Sequence, residues 1–295
     1  MKFAGIIAEY DPFHNGHAWQ LAQAKALGAE RVAVAMSCSL VQRGALPLLP
    51  EAVRTRSALT CGADLVFALP APCACAGAEA FARAGVALLA AAGCDGLVFG
   101  AETPDAALLM EAAELLDSDS YRAALKAQLA GGARSFAAAR QAAAAQLASD
   151  ERVAALLDKP NNNLAVEYCR AIRSLAPRME AYPLPRQGAN HGEALHSAHG
   201  QFASASALRK LWAEGGADAV APYVPEAVFP LYQEAYAAGQ YTDFSAAGRC
   251  ELALLRSACR GKAPFADIRG VSEGLEHRLE AAVRTSTTYD ELLDA

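Results

Sequence analysis

Alternation of short apolar runs with helical stretches predicts an α/β fold, a parallel sheet with helices on both faces. Three observations carry this expectation. Four runs of buried-strand character fall within residues 2–10, 31–37, 64–69 and 96–100. Each pair of runs is separated by enough chain for a crossover helix, which parallel neighbours require. The first run ends in a proline-containing turn that opens a helix, and sheets of this kind bind ligands at the carboxyl ends of their strands.

In chain order, residues 2–10 read as a buried strand and 16–27 as the first helix. Residues 31–37 (Arg-Val-Ala-Val-Ala-Met-Ser) are the second strand. A loop over 38–50 holds Gln42-Arg43-Gly44, Pro47 and Pro50. Residues 51–61 are helical, and 64–69 form a third strand closed by Pro70. An alanine-rich helix is expected over 76–92 and a fourth strand over 96–100. Residues 104–158 lack strand signals and read as a helical insertion broken at Gly131-Gly132. Lys159-Pro160-Asn161-Asn162-Asn163-Leu164 reads as a breaker ahead of a helix to Arg173. Residues 179–184 suggest another strand and 187–201 a polar loop. Ser204-Ala205-Ser206 has the composition of a helix cap. Beyond 220 only helical patterns remain. The expected organisation is a catalytic domain over 1–220, with its insertion at about 104–158, and a helical C-terminal region over 221–295.

Hydrophobic residues make up 54% of the 295 and charged residues 20%, a composition that builds a sizeable core and excludes a disordered chain. The net charge of −6 argues against a protein that coats nucleic acid without selectivity, while leaving room for a local basic patch. Met1-Lys2 leads straight into the first strand, and no apolar run reaches membrane-spanning length. A cytoplasmic protein with no membrane partner is therefore expected. The eight cysteines (38, 61, 73, 75, 94, 169, 250 and 259) contain no CxxC pair. They read as reduced thiols packed as small apolar groups, so no protein-held metal site is expected.

The chemistry concentrates in Gly5-Ile6-Ile7-Ala8-Glu9-Tyr10-Asp11-Pro12-Phe13-His14-Asn15-Gly16-His17. A helix N-terminus presents free N–H groups and partial positive charge, both of which favour phosphate. His14 and His17, three residues apart at such a terminus, can donate to phosphate oxygens, and Gly16 leaves room for a phosphate to approach the backbone. The alternative is a plain helix start with two surface histidines. The pattern resembles the HxGH signature of the nucleotidyltransferase superfamily, which implies that the two imidazoles stabilise charge building at an α-phosphorus.

A second constellation, Ser204-Ala205-Ser206-Ala207-Leu208-Arg209, places hydroxyls at a helix start with an arginine one turn below Ser206. It can serve phosphate, or be an ordinary cap with a surface arginine. Arg43, Arg54 and Arg186 lie near predicted strand ends, each able to reach a carboxylate or phosphate or to remain solvated. The three asparagines after Pro160 suit a turn, or an amide that reads a base edge. His191, His196 and His199 read as a solvated loop rather than a metal site.

Jointly, these segments resemble the bacterial tRNA(Met) cytidine acetate ligase family. The segments are Glu9 to His17, Gln42-Arg43-Gly44, Gly62-Ala63-Asp64-Leu65-Val66, Phe99-Gly100-Ala101-Glu102, Lys159-Pro160-Asn161-Asn162, Pro185-Arg186, Ser204 to Arg209 and Val271-Ser272-Glu273-Gly274-Leu275-Glu276. The resemblance implies a Rossmann-like parallel sheet of the HxGH nucleotidyltransferase type. It implies an enzyme that uses ATP, with Mg²⁺ carried by the triphosphate, to activate acetate as acetyl-adenylate. The acetyl group then passes to N4 of the wobble cytidine, position 34, of elongator tRNA(Met). It implies His14 and His17 as the catalytic pair. The nucleotide site it implies runs through Ile7, Ala8, Glu9, Tyr10, Asp11, Pro12, Phe13, His14, Asn15, Gly16, His17, Ala18, Trp19 and Gln20. Gly100, one of the tandem asparagines (Asn162 by our assignment) and Arg186 complete it, with Ser204, Ser206 and Arg209 as phosphate contacts.

The chain departs from the family pattern at Cys38-Ser39, Ala45-Leu46, Glu51-Ala52 and Ala68, all on one side of the expected pocket. Two other readings stand beside the ligase. One is a divergent nucleotidyltransferase that moves AMP or CMP to a small phosphorylated substrate. The other is a non-catalytic nucleotide- or RNA-binding relative. Family members continue through a basic segment past the equivalent of Ala295. The basic residues Arg249, Arg256, Arg260, Lys262, Arg269, Arg278 and Arg284, which otherwise read as a solvated helical face, are therefore expected to bind tRNA weakly and with steep salt dependence, and acetyl transfer by these 295 residues to be slow or absent.

Overall fold

The structure, a computed structural model, describes residues 1–132, 135–186, 196–197, 200–261, 265–268, 271 and 274–295. It divides into two compact units, Met1–Tyr241 and Thr242–Ala295.

The first unit is built on five parallel strands: β1 (Phe3–Ala8), β2 (Arg31–Ser37), β3 (Leu65–Leu69), β4 (Gly96–Ala101) and β5 (Glu180–Pro185). Their spatial order is β3-β2-β1-β4-β5. Chain order therefore reverses between β1 and β4, and the ends of these two strands form the switch point. The strands read as near-continuous apolar runs because both faces are buried. Ala33, Ala35, Leu97 and Phe99 point into one core, while Ala4, Ile6, Val32, Val34 and Val98 point into the other.

The connections are helical: α1 (Asn15–Ala26), α2 (Glu51–Thr60), α3 (Ala71–Ala74) and α4 (Ala78–Ala91). The expected alanine-rich helix over 76–92 is thus shortened at its start, with Gly77 as its N-cap. Before it, α3 takes Pro72 into its first turn, where a missing N–H is harmless.

The described elements of the insertion are all helices: α5 (Ala106–Asp117), α6 (Asp119–Ala130), α7 (Phe136–Leu147) and α8 (Glu151–Leu156). Asp105, Ser118, Ser135 and Asp150 each cap one of these helices by accepting a first-turn N–H. The next helix, α9 (Pro160–Leu175), corrects the reading of 159–164 as a breaker. Pro160 occupies the first turn and the three asparagines belong to the helix. Glu167 of α9 is buried between Arg140 of α7 (2.5 Å) and Arg170 (2.7 Å), which ties the insertion to the sheet-covering layer.

Beyond a two-residue antiparallel pairing of 196–197 with 200–201 lies α10 (Ala205–Val220), with a break at Gly216, and then α11 (Phe229–Ala237). Val224, Val228, Tyr232 and Ala235 enter the core that also holds Leu21 of α1 and Leu208 of α10. The expected boundary at residue 220 falls inside this unit.

The second unit comprises α12 (Phe244–Ala258), α13 (Leu275–Thr285) and α14 (Tyr289–Asp294) around Cys259, Phe265 and Val283. Four of the basic residues noted above are committed within it, Arg249 to Ser245 Oγ and Arg278 to Ala295 O among them. Arg256 donates to the carbonyls of Val283 and Ser286, and Arg284 to Cys259 O while pairing with Glu280 at 2.7 Å. Lys262, Arg269, Ser272 and Glu273 lie outside the described residues. Among the described residues no helix is long and apolar enough to cross a membrane.

Candidate active site

A cleft of about 340 Å³ opens at the switch point, over the carboxyl ends of β1 and β4. Of the expected site residues, Ile7, Ala8, Glu9, Tyr10, Asp11, His14, Gly16, His17, Trp19, Gln20, Gly100, Arg186 and Ser204 line it. Pro12, Phe13, Asn15, Ala18, Asn162, Ser206 and Arg209 do not. Asn161, one of the tandem asparagines, also lines it, and Gln42, Phe81, Phe99, Leu164, Tyr168, Leu184, Pro185, Ala203 and Ala205 line it without having been expected.

The loop between β1 and α1 is fastened along its length. Tyr10 turns the chain with φ +52°, uncommon for a residue with a Cβ, and the Asp11–Pro12 peptide is cis. The buried Asp11 carboxylate accepts from Leu48 N at 2.6 Å and from Arg209 Nη1 at 3.1 Å, and Arg209 also donates to Asp11 O at 2.8 Å. Burial pushes the Asp11 carboxyl up from its ordinary value, against the pull of the Leu48 N–H, Arg209 and Arg54. The Tyr232 hydroxyl of α11 donates to Phe13 O at 2.6 Å. Asn15, also buried, donates to Gln201 O and Pro222 O at 3.0 and 3.2 Å. Asn15 and Phe13 therefore hold the motif in place rather than face a ligand.

His14 and His17 cap α1 reciprocally. Gly16 N donates to His14 Nδ1 at 3.0 Å, and His14 N donates to His17 Nδ1 at 3.3 Å. With both Nδ1 atoms accepting, a neutral ring carries its proton on Nε2. The rings stack with centroids 3.7 Å apart. Burial, and then the nearby Arg186 charge, lower His14 to about 3. Burial, His14 and Arg186 hold His17 well below its ordinary value. The site thus presents two neutral Nε2–H donors. A Cβ on Gly16 would lie 2.9 Å from His14 Cε1, so glycine is what lets the ring fold back over the first turn.

Three helix starts meet the cleft. Beside α1, residues Ala203, Ser204 and Ala205 bring the first turn of α10, with Ser204 Oγ accepting from Ala207 N at 3.2 Å. Asn161 brings the first turn of α9. Glu102, at the end of β4, caps that turn by accepting from Asn161 N and Asn162 N at 3.2 and 2.7 Å.

Three expectations need correction. Asn162, our assignment for a ligand contact, is buried, and its carboxamide is committed to Thr103: Oδ1 accepts from Thr103 N at 2.9 Å and Nδ2 donates to Oγ1 at 3.2 Å. Asn161 faces the cleft instead and accepts from Arg186 Nη1 at 2.6 Å. Arg209 turns to Asp11, and the Ser206 hydroxyl lies 3.1 Å from that of Ser204, so neither side chain lines the cleft. Arg54 is fully buried, donating to the carbonyls of Leu49, Glu9, Ser37 and Cys38, so it ties the ends of β1 and β2 together instead of reaching a ligand.

The side chains of Arg43, His191, His196 and His199 lie outside what the structure describes. Among the described residues no group of three or more His, Cys, Asp or Glu is arranged to hold a metal ion.

The family model for HIGH Nucleotidyl Transferase matches residues 1–295. The tRNA(Met) cytidine acetate ligase of Syntrophotalea carbinolica is 37% identical, over 100% of this chain and 70% of that protein. The protein of the same name from Acetivibrio thermocellus is 33% identical, over 100% and 72%. Thermotoga maritima TmcAL bound with alpha-thio ATP superposes with a TM-score of 0.88 at 30% identity, over 100% of this chain and 70% of that one. Its apo form superposes with a TM-score of 0.90 at 31% identity, with the same coverage.

Proposed function

The chain belongs to the tRNA(Met) cytidine acetate ligase family of HIGH nucleotidyl transferases, and on that premise we propose that it activates acetate with ATP and passes the acetyl group to tRNA. The acceptor in this reading is N4 of the wobble cytidine, position 34, of elongator tRNA(Met), in the cytoplasm. The observation that carries the proposal is the pair of imidazoles at the mouth of α1, over the switch point of the sheet, each with its Nδ1 already accepting a backbone N–H.

In the first step an acetate oxygen bonds to the α-phosphorus of ATP and the bond to pyrophosphate breaks, which yields acetyl-adenylate. Negative charge gathers on the non-bridging oxygens as this happens. In this reading His14 and His17 donate to those oxygens, and the first turns of α1 and α10 receive the departing phosphates. No covalent protein intermediate is needed; positioning and charge stabilisation suffice. In the second step cytidine N4 attacks the acetyl carbonyl carbon, AMP leaves, and the N4 proton is released.

Mg²⁺, travelling with the triphosphate, would offset its charge. The cleft's carboxylates suit that arrangement, because Asp11 is engaged by Leu48 and Arg209, and Glu9 accepts from Gln42 N.

The test is ATP–pyrophosphate exchange with and without acetate and elongator tRNA(Met). Exchange that requires acetate supports the ligase. Exchange only with phosphorylated acceptors would transfer the site to AMP or CMP transfer, and nucleotide binding without turnover would make the chain a non-catalytic relative.

A further inference from the structure

Acetate activation also needs a place for the acyl group, and the two sides of the cleft differ in what they offer. The first turns of α1 and α10 belong to helices packed on one face of the sheet. If pyrophosphate departs toward them, the attacking oxygen arrives from the opposite side, because the entering and leaving oxygens lie roughly in line.

That opposite side is built by helices of the other face. Phe81 of α4 and Tyr168 of α9 reach the cleft there, beside Ile7 and Glu9 at the end of β1 and Gln42 from the loop after β2. Phe81 is only 2% exposed and Tyr168 4%, so neither ring is free to swing away. Phe99 backs Tyr168 with ring centroids 5.4 Å apart. The corner is also held from the loop side, since Glu9 Oε1 accepts from Gln42 N at 2.6 Å. Close-packed rings backed by a core yield little when a ligand grows by one carbon.

We propose that the Phe81–Tyr168 corner is the acyl pocket and that it sets acyl chain length, accepting acetate and rejecting longer carboxylates. The inference rests on the acetate-activating reading above and adds to it the side chains that choose the acid.

The experiment measures ATP–pyrophosphate exchange for the full 295-residue chain with acetate, propionate and butyrate, alongside ATP affinity. Wild type is expected to prefer acetate over propionate by about 10–200-fold, the usual worth of one methylene in an apolar pocket. Phe81→Leu is expected to narrow that preference at least about tenfold by raising propionate use, with ATP affinity within about twofold. Tyr168→Phe, which keeps the ring, should leave the preference where it is. A preference unmoved in Phe81→Leu, with ATP still bound, overturns the pocket alone. Wild type that uses butyrate as well as acetate overturns it without recourse to any variant. Absence of acetate-dependent exchange in wild type overturns the underlying reading, and the pocket with it.

Discussion

Residues 9–17 and 204–209 both open a helix at the same cleft, and both carry the polar side chains expected at a phosphate site. They use them in opposite ways. In the first segment each imidazole satisfies its inner nitrogen on its own backbone and keeps its outer N–H for whatever enters. In the second, Arg209 turns inward to Asp11 and Ser206 neighbours Ser204, so only the Ser204–Ala205 edge meets the cleft. In the proposed reading the first segment does the chemistry, while the second mostly holds the first in position. A polar residue beside a cleft is therefore judged by where its last free donor points.

The largest effect should fall on the donors. His14→Ala or His17→Ala is expected to lower adenylation by about 10²–10³, with a much smaller change in nucleotide affinity. Rate and affinity falling together would erase the contrast, making the pair a structural cap like its counterpart. For the fastening segment the loss should appear in stability. Arg209→Met leaves the buried Asp11 carboxylate without its cation. Breaking a fully buried pair removes about 3–5 kcal/mol, and because Arg209 is partly exposed we expect about 2 kcal/mol in urea unfolding. A variant as stable as wild type but unable to bind ATP would reverse the assignment.

A finer version of the same contrast lies within one turn of α9. Asn162→Ala should cost about 1–2 kcal/mol of stability, because the Thr103 N–H loses its acceptor. Asn161→Ala should instead weaken nucleotide binding a few-fold through the freed Arg186. Exchanged outcomes would restore the original choice of Asn162 as the ligand contact.

The smallest expected effect is on pH dependence. As pH falls below the ordinary histidine value of about 6.5, the unfolded chain takes up protons at both positions. The folded chain resists until about 3 at His14. The unfolded state therefore binds more protons across that window, and stability must decline as pH falls through it. Melting temperatures measured from pH 7.5 to 4.5 should decline less steeply for His14→Gln than for wild type. Parallel curves would mean that the folded imidazole titrates normally.

The sheet was legible because strands buried on both faces leave unbroken apolar runs, and the first half of the cleft because its residues are contiguous. The other half arrives on separate helices. Phe81 and Tyr168 come together only through packing of α4 and α9, which no local pattern announces. Asn161 did leave a signal. Once Pro160 is read as a first-turn residue, Asn161, Leu164 and Tyr168 fall on one helical face, and all three line the cleft. Arg54 left none, since an interior guanidinium bonded to carbonyls looks in sequence like any surface arginine. Arg209 finds its partner 198 positions away, beyond the reach of any spacing rule.

Gly85 sits one turn along α4 from Phe81, facing Ile7 of β1, where an added Cβ would lie 2.5 Å from Ile7 Cδ1. That missing carbon sets the gauge between helix and strand, and Phe81 rides on the same helix face. Enlarging the residue there would press the helix away from the strand and draw the Phe81 ring back, acting through Ile7, itself a residue of the cleft wall. The fold thus carries an adjusting screw outside the cleft. Gly85→Ala is expected to loosen acyl selectivity in the direction of Phe81→Leu, measured by the same exchange assay, and an unaltered preference would mean that the strain is absorbed without reshaping the corner.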